Sequence, residues 1–147
     1  MAITRETFPL PDVSNPFLAP FFDGAAKGEL LITRCRLCDV LVWYPEESCP
    51  TCSNDLEWVQ VSGRATLFSW AVVRRPFLPA FEDMVPFVTA LVALDEDPHV
   101  RLCSFIVDVD PEPLSIDSPV EVVFRPLQFA TVPGQFVIVP MFKPAEM

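Results

Sequence analysis

Apolar positions fall at two different spacings along this chain, and the change between them separates one short helix from a series of strands. Phe17, Leu18, Phe21, Phe22 and Ala25 recur every three or four residues, which predicts a short helix with a phenylalanine-rich face. Asn15 followed by Pro16 reads as an N-cap with proline at the first helical position; Pro20 lies one turn in, and Gly28 reads as the stop. Residues 1–13 are broken by proline and read as an arm. From Glu29 onward the period shortens toward two. Residues 29–34, 40–45 and 57–61 predict three short strands, and Ser62-Gly63-Arg64 marks a boundary. Five longer runs follow at 64–75, 87–94, 99–107, 120–124 and 136–142, with no helical pattern longer than a turn between them. On the first of these, Phe68, Trp70 and Val72 are expected on one face and Leu67, Ala71 and Val73 on the other. A barrel of five such strands is most often an OB-fold. Both faces of several runs are apolar, so one outer face is expected to be covered.

The short strands carry the sharpest chemical signal. Cys35-Arg-Leu-Cys38 and Cys49-Pro-Thr-Cys52 are two CxxC pairs separated by ten residues. Each pair forms a tight knuckle that aims two thiolates at one point, and two knuckles complete a tetrahedral Cys₄ site for Zn²⁺. Such a site has no open position, so the metal is structural. Four free or redox-active thiols are the competing reading, but a single redox CxxC needs no second pair at this distance. Zinc rather than a core is expected to hold the ribbon together. The fold class that follows is mainly β: a short N-terminal helix, a rubredoxin-like zinc ribbon and a C-terminal five-stranded OB barrel. The corresponding division is 1–28, 29–61 and 62–147.

Composition changes the picture in one respect. Hydrophobic residues make up 51% of the chain, with 13 Phe and 17 Pro against 4 Gly, yet no apolar run reaches the roughly 20 residues of a membrane span. Surplus apolar surface then points to another protein or a ligand. The formal net charge of −10 argues against a phosphate-backbone partner, which needs a basic face. The first residues lack the basic and apolar regions of a signal peptide, and reduced cysteines fit the cytoplasm. No nucleic acid and no membrane are expected as partners.

No catalytic constellation stands out. His99 and Cys103 share a strand four residues apart, about 13 Å along it and too far for a hydrogen bond. Cys103 then reads as a small buried hydrophobe, and the acidic residues fall in turns without a paired site. Two proline-rich or apolar connections, 76–86 and 128–135, correspond to the loops bordering an OB barrel's binding face. Arg74 and Arg75 open the first of them. They read either as solvated rim cations or as contacts to the phosphates of a nucleotide-bearing ligand whose apolar part meets Phe77, Leu78 and Phe81. The face of Phe17, Phe21 and Phe22 either packs on the chain's own barrel or docks into a partner.

Taken in order, these pieces resemble a known family. A phenylalanine-rich helix before Gly28-Glu29-Leu30-Leu31, the Cys35/Cys38/Cys49/Cys52 ribbon, Gly63-Arg64-Ala65-Thr66-Leu67-Phe68-Ser69-Trp70, Phe81-Glu82-Asp83, Pro86-Phe87-Val88, Val100-Arg101-Leu102 and residues 119–124 are similar to the zinc-ribbon plus OB-fold proteins found with acyl-CoA enzymes. The resemblance covers nearly the whole chain from Asn15. It implies a non-catalytic scaffold subunit of a thiolase-like acyltransferase or aldolase complex, bridging thiolase-fold subunits in a hetero-oligomer and lining an acyl-CoA passage. The alternative from a different class is a single-stranded nucleic-acid binder, since aromatic platforms on OB folds stack bases.

Overall fold

The structure is a computed structural model that describes residues 8–112 and 114–145; most of the arm expected over residues 1–13 lies outside them. Helix α1 spans Ala19–Ala26, with Leu18 at its N-cap and Pro20 in its first turn. It begins later than the Asn15-Pro16 pair predicted. A helix running from Pro16 would press the Pro20 ring against the Pro16 carbonyl, so the helix starts where Pro20 still falls in the first turn. Asn15 closes the preceding turn instead: its Oδ1 accepts from the Phe17 N–H at 3.0 Å, and its carbonyl accepts from Leu18 and Ala19. Gly28 does end the helix. At φ +78° it lets the Glu29 N–H reach the Gly24 carbonyl at 2.8 Å and its own N–H reach Ala25 at 3.1 Å, the paired bonds of a Schellman cap.

Strands β1 (Leu30–Cys35), β2 (Val40–Val42) and β3 (Leu56–Val61) form an antiparallel sheet in the order β2-β1-β3. Strands β4 (Arg64–Val73), β5 (Phe87–Leu94), β6 (Arg101–Ile106), β7 (Pro119–Leu127) and β8 (Val137–Pro144) close a barrel in the order β4-β5-β6-β8-β7. Every pairing in the barrel is antiparallel except β6 with β8. That parallel seam is short, and the Ser104 hydroxyl donates across it to the Pro140 carbonyl at 2.9 Å.

A bulge changes the face assignment of β4. The register with β5 shifts between Leu67 and Ser69, leaving Phe68 exposed while Leu67, Trp70 and Val72 turn to the core. One extra residue switches the parity of everything after it, so Phe68 does not share a face with Trp70 and Val72. Outside, Phe68 receives the Arg101 guanidinium 3.8 Å above its ring.

The ribbon is not held by its cysteines alone. Leu30, Ile32 and Val61 belong to the same buried cluster as the barrel residues Leu67, Val92, Leu94, Val120 and Phe142, so the inner ends of β1 and β3 continue the barrel core. Only Ser62 and Gly63 separate β3 from β4. Gly63 has φ +84°, and a Cβ there would lie 2.2 Å from Val122 Cγ1. The Ser62 N–H donates to Glu96 at 2.5 Å. Helix α1 packs against β1 and β8 and covers part of the outer barrel wall. Among the described residues no helix is long and apolar enough to cross a membrane.

Candidate metal centre

Both cysteine pairs adopt the same local turn. Asp39 and Ser53, the residues after each pair, have φ +56° and +63°. Their N–H groups return to the Cys35 and Cys49 carbonyls at 2.8 Å each. Cys35 leaves the end of β1 and Cys49 sits in the β2–β3 connection, so the sheet brings the two knuckles face to face. Four sulfurs held about 2.3 Å from one ion stand roughly 3.8 Å apart. The four Sγ atoms lie within 4.8 Å of one another, with Cys35–Cys52 at 3.4 Å and Cys38–Cys49 at 4.0 Å. A tetrahedral ion fits that set, and an all-sulfur donor set suits a soft or borderline metal.

Further contacts prepare the sulfurs. The Cys38 N–H donates to Cys35 Sγ at 3.3 Å, and Asn54 Nδ2 donates to Cys52 Sγ at 3.2 Å. These donors favour negative charge on sulfur. Asn54 holds the Cys52 thiol down to about 6, whereas its hydrogen bond with Cys52 pushes Cys38 up to about 12. Sequence reasoning passed over Asn54, which looks like any polar turn residue; only the fold turns its amide toward the cluster.

An aromatic ladder connects the ribbon to the helix. Phe22, Phe21, Trp43 and Tyr44 follow one another with centroid separations of 5.4, 5.0 and 5.3 Å, and Trp58 meets Trp43 edge-on. Phe21 and Phe22 thus pack within the chain, while Phe17 remains half exposed. They also form one wall of a cavity of about 200 Å³ bounded opposite by Leu102, Cys103, Ser104 and Pro140. Cys103 is exposed rather than a buried hydrophobe: β6 buries Leu102, so its neighbour turns outward.

The loop residues singled out as ligand contacts have different surroundings. Arg74 pairs with Glu112, Arg75 is exposed and Phe77 is 74% exposed. Phe81, in a 3₁₀ turn over Pro79–Phe81, packs on Phe8, Phe87 and Phe129 at 5.3–5.6 Å between ring centroids. The apolar character of the 76–86 and 128–135 loops therefore goes largely into covering one barrel end together.

Comparison with known proteins accounts for both sheets. Residues 22–57 match the family described as ChsH2, rubredoxin-like zinc ribbon domain, and residues 58–125 match ChsH2, C-terminal OB-fold domain. The chain belongs to the ChsH2 (DUF35) family. This ChsH2-family chain is 35% identical over 95 residues to a DUF35 domain-containing scaffold protein of Methanothermobacter thermautotrophicus, covering 63% of this chain and 69% of the relative. It is 36% identical over 101 residues, 68% of its length, to a probable enoyl-CoA hydratase alpha subunit of Thermomonospora curvata, of which it spans only 30%. A chain of the solved Ltp2-ChsH2(DUF35) aldolase superposes with a TM-score of 0.75 at 31% identity, covering 91% of this chain and 98% of that one. A Sulfolobus solfataricus DUF35 protein of unknown function shares the fold at 12% identity, with a TM-score of 0.58 over 89% of this chain and 87% of its own.

Proposed function

We propose that this ChsH2-family chain is a non-catalytic scaffold subunit of an acyl-CoA-processing enzyme complex, with a thiolase-fold enzyme as its partner. The observation that carries the reading is the likeness to a chain of the Ltp2-ChsH2(DUF35) aldolase, which spans nearly the full length of both chains. The ion in the Cys₄ centre is Zn²⁺ in this reading. Four thiolates close its coordination, so its contribution is to hold the ribbon rather than to activate water. Phe17, exposed beside the aromatic ladder, is part of the surface offered to the partner, and Phe21 and Phe22 support it from within. Arg74, Arg75, Phe77 and Phe81 border the acyl-CoA passage, with Arg74 exchanging Glu112 for a phosphate.

Purification of the native complex, followed by mass spectrometry, tests the scaffold role: a thiolase-fold enzyme should co-purify, and the isolated chain should show no acyl transfer or retro-aldol activity. Recovery as a fully active monomer contradicts it. Charge reversal of Arg74 and Arg75 should weaken acyl-CoA binding by the complex; unchanged affinity removes the ligand role of this loop and leaves the scaffold role standing.

A further inference from the structure

The cavity beneath α1 is lined without a single charged side chain. Its walls come from three parts of the fold: Leu18, Phe21 and Phe22 from the helical segment, Trp43 and Tyr44 from the ribbon, and Leu102, Cys103, Ser104, Pro140 and Phe142 from β6 and β8. None of these side chains is charged, in a chain of formal net charge −10. Hydrogen-bonding capacity is scarce as well. The Ser104 hydroxyl hydrogen is spent on Pro140, which leaves the Trp43 indole N–H, buried and without a partner among the described residues, and the exposed Tyr44 hydroxyl as the polar groups an occupant could meet. A polar occupant entering here would lose water and find few replacement bonds; a hydrocarbon would lose nothing. Cys103 also borders a second hollow of about 260 Å³ along β4, β5 and β6, lined by Ser69, Trp70, Ala71, Thr89, Ala90 and Leu91. Again no wall residue is charged. Cys103 is thus shared by the cavity and an uncharged trough, and the trough is the nearest uncharged surface for the remainder of an elongated molecule.

From this we infer that the space between α1, Trp43-Tyr44 and β6 is a binding site for the hydrocarbon tail of a small amphiphile, with the tail under the helix and its head toward the trough. A cavity of about 150 Å³ takes a benzene ring, so about 200 Å³ holds roughly eight carbons. The site lies outside the loop assigned to acyl-CoA above, and its existence does not depend on the scaffold reading.

Cys103 supplies the readout, because every other cysteine belongs to the metal cluster. The full chain is titrated with straight-chain alcohols from butanol to decanol while iodoacetamide alkylation of Cys103 is followed by peptide mass. Bound alcohol should slow that alkylation at least fivefold at saturation. Affinity should rise about fourfold per methylene and level off near eight carbons. Leu18→Trp, which fills the helical wall, should weaken the longer alcohols at least tenfold and shorten the break; if that variant fails to fold, the chain-length break in the natural chain still decides. Unslowed alkylation with every alcohol overturns the assignment, as does affinity that climbs with no break. Protection of Cys103 by a partner protein without any by alcohols also overturns it, and makes the cavity a protein-docking surface.

Discussion

Gly63 shows how little freedom one position holds. An alanine there would place its Cβ 2.2 Å from Val122 Cγ1 and keep an L side chain near φ +84°, so Gly63→Ala should destabilise by about 2–4 kcal/mol. A lower urea midpoint at unchanged slope is the expected reading, and an unshifted midpoint would refute it. Asp108 has a smaller, pH-dependent effect. Arg125 donates to both its carboxylate oxygens, at 3.3 and 2.6 Å, and chiefly this bond holds the group below its usual 3.8. A depressed folded value gives stability that is present above 3.8 and lost as pH falls through the folded value. Asp108→Asn should therefore lower the thermal midpoint at neutral pH, and the gap should close in strong acid. Both partners are about half exposed, so the shift is small; a gap that widens on acidification would count against the pairing.

Among the elements, the ribbon was the most legible, because two CxxC pairs leave few geometries that satisfy four thiolates. What the spacing could not reveal was Asn54. Asn54→Ala should lower metal affinity roughly 10- to 100-fold, measured by competition with a chromophoric chelator; equal affinity would make its bond to Cys52 incidental. Cys49→Ser should go further and abolish tight binding. Hydrogen exchange should then rise at residues 35–56, while Leu30, Ile32 and Val61 stay protected by the barrel core they share. Exchange that rises equally through both sheets would contradict that division. The five barrel strands were legible from their period-two runs, but the bulge at Phe68 was not, since no Gly or Pro marks it. Nor was the mutual packing of Phe81 and Phe129, whose segments lie far apart in sequence.

For the molecule as a whole, the order of helix, ribbon and barrel could be read from motif order, and the family comparison agrees on ribbon before barrel. The outward position of Cys103 could not, because the residues around it leave the inward face of that strand open in sequence, nor could the uncharged cavity beside it, which depends on where the helix packs. Surplus apolar residues at the sequence level thus resolve into several places: the shared core, the aromatic ladder, the loop cluster at one barrel end, and side chains such as Phe17, Leu37 and Tyr44 that remain exposed.

The two-residue connection at Ser62-Gly63 has a mechanical consequence. With Gly63 pressed against Val122, Ser62 tied to Glu96, and a common core on either side, the connection has no slack. A protein gripping the ribbon would turn the barrel with it, because ribbon and barrel share one core across this connection. Inserting a short Gly-Ser segment between Ser62 and Gly63 should preserve metal content and barrel secondary structure yet loosen the angle between them. In the proposed complex, native electrophoresis should show the insertion variant failing to assemble; full assembly with the slack in place would mean that the angle carries no information.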